Sequence, residues 1–264
     1  TEKAMAHFVI NCFSDILQMS VNLNVILPQC TTRHGFTGST PDGKFPVLYL
    51  LHGMGDDQTI WQRRTAIERY VEGTPLAVVM PTTHLGFYTN MQHGLPYWSF
   101  FSQELPALCQ QFFPQLTDRR EYTFAAGNSM GGYGAVKLAL GMPDQFGKAV
   151  SLSGALDLVG MAKHTPATPL MQNIFGSTEQ LTGSDNDLLA LAEKTCKTHT
   201  NLPKLRICCG TEDPLLPFSR SAKARLVQLG YDVTYQESPG VHDWAYWDTQ
   251  IRQAIPWLLE GTEM

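Results

Sequence analysis

Ser129 lies among four glycines in the stretch AAGNSMGGYG, residues 125–134. A serine hydroxyl is a weak nucleophile unless a base removes its proton and the turn that carries it holds the oxygen clear of the backbone. GNSMG (127–131) fits G-x-S-x-G, the pattern of a strained strand-to-helix turn that presents a serine in this way. Rival glycine-rich motifs fit poorly. A phosphate-cradling loop needs G-x-x-x-x-G-K-[ST], and GMPDQFGKA (141–149) has the wrong spacing and no hydroxyl. A dinucleotide loop needs G-x-G-x-x-G directly after a strand, and GNSMGGYG is out of that register.

A serine nucleophile requires a histidine base and an acid to orient it, and on this turn type both follow the serine, acid first. Three histidines follow Ser129: His164, His199 and His242. The first two fall in an irregular segment. His242, in SPGVHDWAYW, follows the last strand candidate at the mouth of a loop and is the expected base. For the acid, Asp213 in CCGTEDPLLP is favoured by its place at the next strand end and by Pro214; Asp157 in SGALD competes with it. Glu212 and Asp243 are weaker candidates, Asp243 because it adjoins the histidine in sequence. An oxyanion formed at the substrate needs two N–H donors. One is the amide after the nucleophile, Met130; the other should come from the loop HGMGDD (52–57). His52 suits a structural role holding that loop.

Several elements must position these residues. AHFVINCF (6–13) and VNLNVILP (21–28) read as an antiparallel pair, the second with one wet face. FPVLYLLHG, LAVVMP, YTFAAG, KAVSLSG, LRICCG and VTYQESPG follow as short strand candidates. Most are continuously apolar, as strands buried on both faces are. Helical segments fall between them, at QTIWQRRTAIERYVEG, FSQELPALCQQFF, GGYGAVKLALG and the apolar repeats of 218–229 and 244–258. Alternating strands and helices predict an α/β architecture with a mostly parallel sheet covered on both faces. Residues 155–203 hold one evident helix, DLLALAEKTCK, and are expected to form a small cap. No linker or repeat divides the chain, so 1–264 is expected to be a single domain.

Composition narrows the partners. With 43% hydrophobic residues the chain can fill a sizeable core, and a net charge of −5 disfavours nucleic acid. The paired arginines at 63–64 and 119–120 each have an acidic residue close by. No apolar run approaches the length needed to span a bilayer, so no membrane partner is expected. TEKAMAHFVINCFSD lacks the features of a signal peptide, and the six cysteines show neither C-x-x-C nor zinc spacing. Cys208 and Cys209 read as packed thiols. The expectation is a cytoplasmic protein with no metal and no organic cofactor.

LYLLHGMGDD, IERY, AVVMP, GFYT, SQELPAL, AGNSMGGYGAVKLAL, SLSGALD and GVHDW, in this order, resemble the esterase D group of α/β-hydrolase serine esterases, and within it the tributyrin-esterase branch. The resemblance runs from about residue 20 to 257. It implies an α/β-hydrolase fold with Ser129 as nucleophile, Asp213 as acid and His242 as base. It also implies that Met54, after HG, supplies the second oxyanion amide. A homo-oligomer is expected on the resemblance alone. Asn128 departs from the larger apolar or different residues of the group, but the serine and glycines are intact. The expected activity is hydrolysis of short-chain acyl esters, a small-molecule substrate class. Phe87, Tyr88, Tyr97 and Trp98 are candidates to line an acyl or alcohol pocket, with core packing the competing reading. Alternative activities are hydrolysis of S-formylglutathione, feruloyl esters or acetylated sugars; a non-catalytic ligand-binding role on the same fold is a further alternative.

Overall fold

The computed structural model describes residues 4–29, 40–41, 43–164 and 167–261. Eight strands form one sheet in the order β1-β2-β4-β3-β5-β6-β7-β8. They are β1 (Met5–Ser14), β2 (Met19–Pro28), β3 (Val47–Leu51), β4 (Ala77–Pro81), β5 (Thr123–Asn128), β6 (Lys148–Leu152), β7 (Lys204–Gly210) and β8 (Val233–Ser238). β1 and β2 are antiparallel to their neighbours, and the other six run parallel. This is the α/β-hydrolase architecture expected from the sequence, and every strand candidate is a strand.

Two-sided burial explains the apolar runs. Side chains alternate across a strand, so Val47, Tyr49 and Leu51 of β3 enter one core while Leu48 and Leu50 enter the other. The first core is covered by α4 (Leu105–Phe112), α5 (Met130–Gly141), α9 (Leu188–Thr198) and α10 (Leu216–Gln228). The second is covered by α1 (Ile60–Arg64), α2 (Ile67–Val71) and α11 (Trp244–Leu259). α3 (Tyr97–Ser99) and a π-turn at Phe100–Glu104 lead directly into α4. β2 differs from its predicted wet-faced pattern. Only Ser20 and Asn22 are exposed in its first half, and from Leu23 onward both faces are buried, because β4 and the second core lie beside it.

Two helical expectations are refined. The segment after β3 is two helices, because the Thr65 hydroxyl donates to the Trp61 carbonyl (2.5 Å) and accepts from the Ile67 amide (3.1 Å). A side chain that bonds nearby backbone in this way competes with the helical ladder and restarts it. Among its described residues the cap holds four helices where the sequence showed one: α6 (Leu158–His164), α7 (Pro169–Phe175), α8 (Thr178–Leu181) and α9. Thr168 caps α7, with Pro169 at its first position, and Ser177 and Gln180 form a reciprocal capping box at α8. Cys208 and Cys209 are buried free thiols, as expected; Cys30 lies outside the described residues. No helix among the described residues is long and apolar enough to cross a membrane.

Candidate active site

β5 delivers Ser129 to the carboxyl edge of the sheet, and α5 starts at the next residue. Ser129 has φ 52° and ψ −116°, a conformation that costs a non-glycine residue roughly 1–3 kcal/mol. The surroundings impose it. The Ser129 amide donates to the Leu152 carbonyl of β6 (2.9 Å), and the Ser129 carbonyl accepts from the Tyr133 amide (3.1 Å). The flanking glycines are required by close approach. A Cβ on Gly127 would stand 2.4 Å from the Gly131 carbonyl oxygen, and one on Gly131 would stand 2.3 Å from that of Leu51.

Asp213 and His242 reach the same edge from β7 and β8. His242 Nε2 lies 2.9 Å from Ser129 Oγ, and His242 Nδ1 lies 2.9 Å from Asp213 Oδ2. The Asp213 side chain is fully buried, whereas the imidazole is about a quarter exposed. Burial pushes the Asp213 carboxyl up, but hydrogen bonds from His242 and the Leu215 amide outweigh it and hold the group below the usual carboxylate range. An ionised Asp213 only accepts, so Nδ1 carries the ring proton and Nε2 is free to accept from the serine. Trp247 packs edge-on to the imidazole at 4.9 Å and limits its tilt.

The two residues expected to supply oxyanion amides, Met54 and Met130, line one cavity with Ser129. Met130 is the first residue of α5, so its N–H has no carbonyl a turn earlier and sits at the positive end of the helix. Met54 belongs to the loop after β3 and lines the same cavity as Ser129 and His242. His52 holds that loop. Its Nδ1 is 2.7 Å from the Gly53 carbonyl, and its Nε2 accepts from the Thr83 amide at 3.0 Å. Burial pushes the His52 pKa down to about 4, so the ring is neutral with the proton on Nδ1.

The Esterase family model matches residues 14–258. The chain belongs to this family. It is 30% identical to an acetyl esterase of Caldicellulosiruptor saccharolyticus over 98% of this chain and all of that protein. Among solved structures it is similar to FphF, a fluorophosphonate-binding serine hydrolase of Staphylococcus aureus, with 33% identity and a TM-score of 0.87 over 97% of this chain and 99% of that one. The S-formylglutathione hydrolase FrmB of Staphylococcus aureus is also 33% identical, with a TM-score of 0.85 over 97% of this chain and 100% of that one. The protein is a serine esterase, a carboxylic ester hydrolase.

The competing acids of the esterase have other duties. Asp157 accepts from the Gly160 amide (2.7 Å) and the Ser221 hydroxyl (2.8 Å), which fixes the start of α6. Asp243 caps α11 through the Tyr246 amide. Glu212 accepts from the Gly240 amide (2.8 Å), and its own amide donates to the Gly240 carbonyl (3.1 Å). That exchange clamps the loop carrying Asp213 to the loop carrying His242.

A cavity of about 370 Å³ opens beside Ser129. Cap residues Leu158, Met161, Met171, Phe175 and Leu181 form much of its wall, and His242 is the sole ionisable side chain among its described lining residues. The sequence reading missed these cap residues. Their signals, a Thr-Pro helix start and an S-x-x-Q capping box, are present but short. Of the four aromatic candidates, Phe87 lines the cavity, while Tyr88, Tyr97 and Trp98 are not among its lining residues. The Tyr88 hydroxyl donates to the His52 carbonyl (2.8 Å), Tyr97 pairs with His84 (2.9 Å), and Trp98 lies under the Lys137 ammonium at 4.8 Å. Asn128 is fully buried with neither amide atom hydrogen-bonded.

Proposed function

We propose that the esterase hydrolyses short-chain acyl esters through a Ser129–His242–Asp213 triad, in the manner of the esterase D and tributyrin-esterase group. The observation that carries this reading is the continuous chain of two 2.9 Å contacts from Asp213 through His242 to Ser129. In the reaction, Oγ attacks the ester carbonyl as Nε2 takes its proton. The Met54 and Met130 amides receive the oxyanion. His242 then returns the proton to the leaving alcohol, and a water molecule activated by the same nitrogen releases the acyl group. Asp213 keeps the ring in the required tautomer and stabilises the imidazolium.

An apolar wall of moderate volume with no Lys or Arg among its described lining residues supports an uncharged acyl group. The 30% identical acetyl esterase points the same way. S-formylglutathione is the second reading, favoured by the 33% identical FrmB. It would leave the carboxylates of an anionic tripeptide without a cation in this cavity.

Ser129→Ala is expected to lower turnover of p-nitrophenyl acetate by roughly 10⁴–10⁶-fold with an unchanged fold. Near-normal turnover in that variant removes the assignment. A series from acetate to laurate, run beside S-formylglutathione, tests the substrate: a preference for laurate defeats the short-chain reading.

A further inference from the structure

Lys137 lies two turns along α5 from the nucleophile and is fully buried. Its ammonium donates to the Tyr88 carbonyl (3.3 Å), the Thr89 hydroxyl (2.9 Å) and the Asn186 side-chain carbonyl (2.6 Å). It also stands 4.8 Å from the Trp98 ring centroid and 5.7 Å from that of Tyr133. These partners belong to four separate parts of the chain: the loop after β4, α3, the helix of the nucleophile, and the cap between α8 and α9. No carboxylate touches the ammonium among the described residues; Asp185 acts on it through space while pairing with Lys194 at 2.9 Å. Burying a cation this fully is unfavourable unless its hydrogen bonds are satisfied. Three acceptors and an aromatic face satisfy it here.

The clamped loop is under tension. Phe87 and Tyr88 are consecutive non-glycine residues with φ 52° and 54°. Such conformations persist where the surroundings over-determine them. Phe87 is the pocket-lining member, and it packs edge-on against Tyr133 of α5 (5.1 Å) and Phe175 of α7 (5.2 Å). Beyond it, the Gln92 and His93 amides donate to the Ile174 and Asn173 carbonyls at the end of α7. The Asn186 backbone carbonyl accepts from the Tyr133 hydroxyl (2.9 Å), and its side chain also accepts from Thr89. A continuous set of contacts therefore joins the ammonium to both walls of the acyl cavity.

We propose that Lys137 is a positioning residue that pins the Phe87 loop and the cap to the nucleophile helix and so sets the shape of the acyl pocket. Its reach into substrate selection rests on the esterase reading above. The pinning itself does not.

The test compares wild type with Lys137→Met on p-nitrophenyl acetate, butyrate and hexanoate, with hydrogen exchange measured in parallel. Loss of the hydrogen bonds that support a binding wall is expected to raise KM for butyrate and hexanoate about tenfold, with kcat on acetate changed less than about twofold. Exchange should accelerate in residues 82–92 and 169–181 together. An unchanged KM, or an equal fall in kcat on all three esters, overturns the role in the pocket. Should Lys137→Met fail to fold, Thr89→Val and Asn186→Ala each remove one acceptor, and the same chain-length-dependent rise in KM is required of both. Should wild type turn over none of the esters, the short-chain acyl reading fails and the exchange result alone decides the pinning: unaltered protection in both segments refutes it.

Discussion

At the scale of single residues, the site separates groups whose chemistry is needed from groups that hold them. Ser129, Asp213 and His242 were legible in the sequence because each follows a strand candidate and they keep the chain order of the turn motif. The duties of Glu212, Asp157 and Asp243 were not legible. A carboxylate's partner depends on which loops meet, and Gly240 is 28 residues from Glu212. Asn128 shows the same limit. Its type was visible, but its isolation from every hydrogen-bond partner appears only once β5 is buried. Replacing an unsatisfied buried amide by an apolar group of similar shape removes a desolvation cost, so Asn128→Leu is expected to stabilise the esterase by about 1–2 kcal/mol. Urea denaturation measures it, and a loss of stability would mean that the amide is satisfied in solution.

At the scale of elements, the decisive contact is β3 against α5. Gly131 brings the first turn of α5 to the backbone of Leu51, so that loop and nucleophile share one wall. Gly131→Ala places a methyl group 2.3 Å from a backbone oxygen that has no freedom to retreat. Destabilisation of roughly 3 kcal/mol or more is expected by chemical denaturation, with activity lost in proportion. The clamp between Glu212 and Gly240 is milder. Glu212→Gln keeps an acceptor but removes the charge, and kcat is expected to fall about threefold with KM unchanged; a larger effect on KM would assign Glu212 to binding instead. Element identity was legible wherever burial was two-sided or helical periodicity ran for three turns. In 155–203 the sequence reading reached α9 but missed α6, α7 and α8, whose four to seven residues carry too few apolar positions to show a period, and it failed at Thr65, where one hydroxyl divides a helix.

At the scale of the whole molecule, two deeply buried basic groups, His52 and Lys137, contribute to the response to pH. Burial lowers the folded-state pKa of His52 from 6.5 to about 4, so between those values the unfolded chain binds more protons than the folded one. Its contribution is therefore intact above pH 6.5 and is lost as pH falls to 4, a change of about 3 kcal/mol. Burial also lowers Lys137, to about 7, with the same sign over a higher window. Stability from Lys137 is fully present only above its unfolded value near 10.5 and declines as pH falls through 7. The melting temperature of wild type is expected to rise from pH 5 to pH 9, and Lys137→Met should flatten the upper half of that rise. A wild-type profile that is level from pH 7 to 9 would show that the lysine keeps its ordinary affinity for protons.

The placement of the cap has a consequence for how this protein can change. The cap leaves the sheet after β6 and returns at β7, and these neighbouring strands are paired from Lys148–Lys204 to Leu152–Cys208. Both ends of the excursion are thus anchored by the same ladder, and Ser129, Asp213 and His242 all lie outside it. The cavity wall from α6 to α8 can therefore vary between fixed strand ends, whereas α9 is tied to the sheet core and to the helix that begins after Ser129.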